Sequence, residues 1–398
     1  GLGVNGFKLN GTEFPLLYGD NVSTTCDPLA AMSCETGCLD PSLVKGKIVI
    51  CDLASAVHET FASEALGTIL VSDPERARFD VSSVYPLPAA LVNTTTGDLI
   101  KSYFNSTMKP VATILRTESI VDSEAPVVVS FSSRGPNSIS PDIIKPDISA
   151  PGVNILAAFS PEGNPSNVDG DTRSVKYNIM SGTSMSCPHA TGAAAYVKTH
   201  HPKWSPSAIK SALMTTAFAM NNTKNSDAEF SYGSGQIDPV KAVNPGLVYE
   251  SVADDYVEFL CSMGFDSSKV KLITNSTCPS SKGTTGDLNY PSLGAHVEVG
   301  SEINLKFTRT VTNVGTTNST YKVKVTSDDR ITVTVEPEVL SFESMNEKKM
   351  FVVNVVGEGL GQDETATASL VWSDEVHSVR SPIVVYSQEI FIREARTE

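Results

Sequence analysis

A chain of 398 residues exceeds what one hydrophobic core usually serves, so two or three domains are expected, and 40% apolar with 19% charged residues supplies ample core material. A formal net charge of -15 argues against a basic face for nucleic acid or an anionic membrane. No apolar run approaches the length that spans a bilayer, so neither partner is expected.

The chain opens at Gly1-Leu2-Gly3 with neither an initiator methionine nor a signal peptide, which points to loss of an upstream segment by processing or truncation. Residues 1–10, with Gly1, Gly3, Asn5, Gly6 and Asn10, read as a turn-rich connector of the kind that proteases nick. Sequons of the form Asn-x-Ser/Thr occur at Asn10, Asn21, Asn93, Asn105, Asn221, Asn275 and Asn318. Together with seven cysteines in clustered pairs they favour a secreted, extracellular glycoprotein.

Residues 11–124 have their own character, with cysteines at 26, 34, 38 and 51. Lys47–Cys51 predicts a buried strand, Leu53–Leu66 a helix and Gly67–Asp73 a second strand, a βαβ-like unit. The string Val44-Lys45-Gly46-Lys47-Ile48-Val49-Ile50-Cys51 resembles the protease-associated domain that plant subtilases carry as an insert in the catalytic domain. Four cysteines allow three pairings, which the sequence leaves open. The resemblance implies Cys34 with Cys51, leaving Cys26 for Cys38, and a capacity for homodimerisation through this domain. His58, beside Glu59 on the predicted helix, reads as a surface histidine.

From Ala125 the texture changes, and residues 125–286 form the next segment. Val127–Phe131 predicts a short apolar strand and Val153–Ala158 another, after the turn Ala150-Pro151-Gly152. Strands alternating with helices suggest a mostly parallel sheet with its site at the carboxyl ends of the strands. Asn178–Ser184 reads as a strand end, a tight turn and a helix beginning at Ser184. A serine there lies among free amides at the positive end of the helix dipole, where an oxyanion is favoured; the plain alternative is an N-cap serine. Gly182 would let the chain approach a substrate closely. The residues after Pro188 are so small that the helix is expected to be buried on every side, which would make Cys187 a buried structural thiol. Ser205 caps a second helix with Pro206 at its first position, and Cys261 and Cys278 have the spacing of a local disulfide.

Gly182-Thr183-Ser184-Met185 followed by Ser186-Cys187-Pro188-His189 resembles the nucleophile segment of subtilisin-like serine proteases, in particular plant subtilases of the cucumisin type. Ser130–Pro136, Lys145–Gly152, Trp204–Ala217, Tyr232–Pro239 and Asn244–Tyr249 resemble the same branch. The resemblance implies that Ser184 attacks a peptide carbonyl and that its own N–H helps form the oxyanion hole.

A serine hydroxyl needs a base within hydrogen-bond reach, oriented by a carboxylate. His189 lies five residues along the same helix and cannot bend back over its first turn. His200 and His201 fall before Pro202, and His296 and His377 fall in the last segment. By the resemblance Asp147 is structural, and the acid, the base and the oxyanion asparagine all belong upstream of the inserted domain. The expected partners are therefore protein or peptide substrates and an upstream fragment of the same protease. No metal-ligand spacing or cofactor motif is visible.

Beyond Asp287 the helical signal stops. Ile303, Leu305 and Phe307, then Tyr321, Val323 and Val325, then Ile331, Val333 and Val335, then Phe351, Val353 and Val355 alternate with polar neighbours, the mark of an antiparallel β-sandwich. In plant subtilases a fibronectin-III-like domain fills this place, here residues 287–398. Glu389–Glu398 extends past the last expected strand, Val384–Tyr386, as a mobile tail. The expected whole is the C-terminal part of an α/β subtilisin-like catalytic domain, an inserted α+β protease-associated domain and a β-sandwich, secreted into the apoplast, latex or fruit fluid. The opposing reading is an inactive binding or storage glycoprotein in which Ser184 is a relic.

Overall fold

The computed structural model describes residues 1–73, 81–225, 227–280 and 283–387, so Glu389–Glu398 lies outside the described residues. The chain packs as two units: Gly1–Ser123 with Val129–Phe131 and Pro151–Met185, and Glu124–Val128 with Ser132–Ala150 and the chain from Ser186 onward.

The first unit is built on a five-stranded sheet. Its strands are β1 (Phe14–Tyr18), β2 (Ile48–Cys51), β3 (Gly67–Ser72), β4 (Ala89–Asn93) and β5 (Val111–Ala112), in the order β4-β3-β2-β1-β5. The first four run parallel and β5 is antiparallel. Ile48 and Ile50 enter the core on one face, while Val49 and Cys51 enter the core on the other. A sheet covered on both sides is what lets a strand be apolar throughout. The helix Thr94–Ser106 starts at Asn93, whose Oδ1 accepts from Thr96 N, and packs so closely that a Cβ on Gly97 would lie 2.4 Å from Val71 Cγ1. The helix expected over Leu53–Leu66 is shorter, a 3-10 turn at Ala54–Ala56 followed by Val57–Ala62. Glu64 takes a left-handed φ of 59° and turns the chain towards β3. Residues 1–5, read as a connector, extend along β4: Leu2 N and Leu91 O are 2.8 Å apart, and the reciprocal bond is 2.9 Å.

Disulfides join Cys26 to Cys38, Cys34 to Cys51 and Cys261 to Cys278. The Glu59 carboxylate, 8% exposed, accepts from the amides of Gly37 and Leu39, so a buried charge ties the first disulfide loop to the short helix.

Two expectations for the middle of the chain need correction. No strand forms at Val127–Phe131; Val128 N instead bonds Asn225 Oδ1 at 3.0 Å. The parallel sheet belongs to residues 16–93, whereas β6 (Ile155–Ala158) and β7 (Tyr177–Met180) form an antiparallel pair.

In the second unit a sandwich is formed by β8 (Leu247–Tyr249), β9 (Leu293–His296), β10 (Ile303–Asn313), β11 (Ser319–Ser327), β12 (Thr332–Glu336), β13 (Val339–Phe342), β14 (Lys348–Gly357), β15 (Thr365–Ser373) and β16 (Ser378–Tyr386). One sheet has the order β12-β14-β10-β8, the other β13-β11-β15-β16-β9. Trp372, Phe351, Tyr321, Phe342 and Tyr249 fill the core between them. The sandwich is not purely antiparallel, because β9 runs parallel to β16. Its direction is set just upstream, where the Asn289 side chain bonds the carbonyls of Glu250 and Thr310 and the amide of Thr310.

Cys34 and Cys51 are 1% and 0% exposed and close a loop of 17 residues. Replacing both by alanine should cost about 3 kcal/mol in unfolding free energy, read as a lowered urea midpoint.

Candidate active site

Ser184 is the second residue of an 18-residue helix, Thr183–His200, that follows β7 after the two-residue turn Ser181-Gly182. Gly182 N bonds Gly152 O at 2.8 Å, and Asn154 N bonds Ser181 Oγ at 2.8 Å. Met185 N closes the first turn onto Gly182 O at 3.0 Å. A Cβ on Gly182 would meet nothing nearer than Met185 Sδ at 3.4 Å, so the described chain leaves the space above the turn open. The amide of Ser184 belongs to the first helical turn, whose N–H groups have no acceptor within the helix. Further along, Pro188 has no N–H to return to the Ser184 carbonyl.

The Ser184 side chain is exposed, and its hydroxyl makes no hydrogen bond among the described residues. The expectation of a helix buried on every side is not met. Only Ala193 and Val197 are buried, packing against Ala208, Ala212 and Leu213 of the helix Pro206–Thr215, and Cys187 is an exposed free thiol. Both buried residues lie in the C-terminal half of the helix; in the N-terminal half Ser186 Oγ donates to Ala150 O at 3.0 Å.

None of the six histidines shares a hydrogen bond with Ser184. His58 is exposed on its short helix. His200 Nδ1 lies 3.0 Å from Tyr196 O, and His201 Nε2 lies 2.6 Å from Val243 O while its ring stacks on Trp204 at 3.8 Å. His296 meets the Tyr386 ring edge at 5.3 Å. His377, 7% exposed, pairs with Asp374 Oδ2 at 2.9 Å and faces the Tyr321 hydroxyl at 3.4 Å. That carboxylate and imidazole form a base-like pair with no nucleophile, locked inside the sandwich. Asp147 is engaged by Lys145 Nζ at 2.7 Å and by the Tyr290 hydroxyl. Among the described residues no group of three His, Cys, Asp or Glu side chains is placed to hold a metal ion.

Sequence reasoning missed the supports of the turn. The excursion between β6 and β7 carries Asp171 and Arg173, which belong to none of the motifs read from the sequence. Asp171, 9% exposed, accepts from Arg173 Nη2 at 2.7 Å, Arg173 Nε at 2.9 Å and Ser166 Oγ at 2.6 Å. The guanidinium chiefly, with the Ser166 O–H and the Arg173 backbone N–H, holds its carboxyl at about 2 against the burial that opposes it.

All seven sequon asparagines are exposed. Asn93 and Asn221 also cap short-range turns through Oδ1, and Asn10, Asn275 and Asn318 have left-handed φ values of 52°, 61° and 56°.

Since the folded-state carboxyl of Asp171 is depressed, its contribution is full above the unfolded value near 4 and is lost as pH falls through about 2. Asp171→Asn should therefore cost on the order of 1–2 kcal/mol at neutral pH, the difference from the parent shrinking in acid denaturation below pH 4.

Residues 41–235 match the subtilase family model, and residues 287–385 match a fibronectin type-III domain. The chain is 50% identical over 392 residues to Subtilisin-like protease SBT4.3 of Arabidopsis thaliana, covering 97% of this chain and 53% of that protein. It is 48% identical over 396 residues to SBT4.4 and 47% identical over 398 residues to SBT4.13 of the same plant, covering 53% and 54% of those proteins. It thus spans about half the length of the curated relatives it matches. With Ser184 exposed at the start of its helix and these matches at both ends, the chain belongs to the plant subtilisin-like protease family, the subtilases.

Proposed function

We propose that this chain is the nucleophile-bearing portion of a secreted serine endopeptidase. The observation that carries the reading is Ser184: exposed, unbonded at Oγ, and fixed at the N-terminal turn of a long helix by the Gly182–Gly152 bond. Its hydroxyl attacks the scissile carbonyl, its proton passes to a histidine, and the tetrahedral oxyanion takes a hydrogen bond from the Ser184 amide. As the C–N bond breaks, the histidine returns that proton to the leaving nitrogen, so the amine departs and an acyl-enzyme remains on Ser184, which water then hydrolyses.

The histidine, the aspartate that orients it and the oxyanion asparagine come, in this reading, from a segment outside these 398 residues. The absence of any bonded imidazole at Ser184 among the described residues supports this, as does the greater length of the relatives. Residues 11–124 serve as a protease-associated domain and a surface for homodimerisation. The three disulfides and seven exposed sequons fit an extracellular glycoprotein in the apoplast, latex or fruit fluid. Among the described residues no helix is long and apolar enough to cross a membrane.

A fluorophosphonate probe should label Ser184 in native material, and Ser184→Ala should lower kcat for peptide hydrolysis by roughly 10⁴-fold or more. Folded native protein whose Ser184 stays unlabelled would leave the scaffold or storage reading standing. N-terminal sequencing of the active preparation should find a co-purifying upstream segment. Robust hydrolysis by the 398-residue chain alone would refute the external triad.

A further inference from the structure

Ser82–Tyr85, a short segment entering β4, touches both ends of the β6–β7 pair. Ser82 N donates to Asn154 Oδ1 at 3.2 Å, just before β6, and Arg173 Nη2 donates to Tyr85 O at 2.9 Å, just before β7. Neither contact stands alone. Arg173 is aimed by the buried Asp171 carboxylate, and its guanidinium lies 5.6 Å from the centroid of the Phe7 ring. Val168, 3% exposed, carries the same excursion into the core beside Tyr85 and Leu87. Asn154 in turn sits at a left-handed φ of 52° and hands its own amide to Ser181 Oγ, three residues before the nucleophile.

We propose that Arg173 and Asn154 are positioning residues through which the parallel-sheet lobe sets the place of the Ser184 turn. The excursion of residues 159–176 is too long to hold β7 in register by chain connectivity, so register is set by what the excursion docks on. Arg173 supplies the firm anchor, because a planar guanidinium held by a buried carboxylate has little freedom left. Asn154 supplies the weaker one, because its bond to Ser82 is exposed. The lobe touches no reacting atom; it acts through β7 and Ser181. This inference rests on Ser184 being the nucleophile.

The test uses the whole active protease, with Arg173→Met, Arg173→Lys and Asn154→Gly. Methionine keeps the apolar stem without the fork, lysine restores a charged donor, and glycine keeps the left-handed backbone while removing the acceptor. Arg173→Met should lower kcat and the fluorophosphonate labelling rate about tenfold with KM within about twofold, since small displacements of a reacting group cost rate steeply. Arg173→Lys should recover part of that loss, and Asn154→Gly should cost about two- to threefold. Hydrogen exchange should quicken at residues 177–185 in Arg173→Met while the β1–β4 amides keep their protection. Unchanged kcat with unchanged exchange at 177–185, or exchange quickened equally through the whole lobe, overturns the proposal. If the parent protein is not labelled at all, it is the nucleophile reading that fails, and exchange at 177–185 still decides whether the lobe holds the turn.

Discussion

One backbone hydrogen bond, from Gly182 N to Gly152 O, fixes where the helix of Ser184 begins. A helix start is useful to chemistry only if it is immobile, because its free amides and dipole act over the length of a single turn. Here the turn is held by that bond and by the Asn154–Ser181 contact, and the other half of the helix is held by Ala193 and Val197 in a separate apolar cluster. The helix is thus held at its turn and in its second half, and in the stretch between, Ser186 Oγ donates to Ala150 O at 3.0 Å.

Each unit is tied together by its own contacts. The parallel-sheet lobe is rigid for ordinary reasons: strands apolar on both faces, two disulfides and a buried carboxylate that satisfies two loop amides. The sandwich is joined to its own unit by polar contacts that leave little slack. Arg309, 3% exposed, donates to the carbonyls of Tyr290 and Gly286, and burial lowers its affinity for a proton to about 10. Tyr249 of β8 reaches Ser381 of β16 through its hydroxyl at 2.9 Å, linking the two sheets through the core. A buried polar group of this kind is costly unless every partner is present, so these contacts specify one arrangement more than they add stability.

Legibility followed the range of the interactions. The strands over 47–51 and 67–73, the helix at Pro206 and the alternating sandwich strands were readable because burial periodicity and capping are local. The turn that leads from β7 into the helix of Ser184 was readable because its run of small residues is local. Val127–Phe131 was misread because an apolar β-branched run becomes a strand only through ladder pairing, whereas Val128 N is taken by the Asn225 side chain, 97 residues away. Cys187 was misread for the same kind of reason: small residues permit burial but do not supply the surface that buries them. The Asp171–Arg173 pair was invisible because its meaning depends on Tyr85, 88 residues away.

The left-handed backbone at Asn10, Asn275 and Asn318 bears on how sugar attachment can be probed. Glutamine, the usual replacement for a sequon asparagine, adds a methylene and gives up the short side chain that tolerates positive φ. At these three sites such a change would mix the loss of any attached sugar with strain in the turn. Altering Thr12 or Thr277 instead erases the acceptor motif and leaves the asparagine to hold its turn, whereas Thr320 also meets Ser341 Oγ at 3.1 Å across the sheet and is a less clean choice.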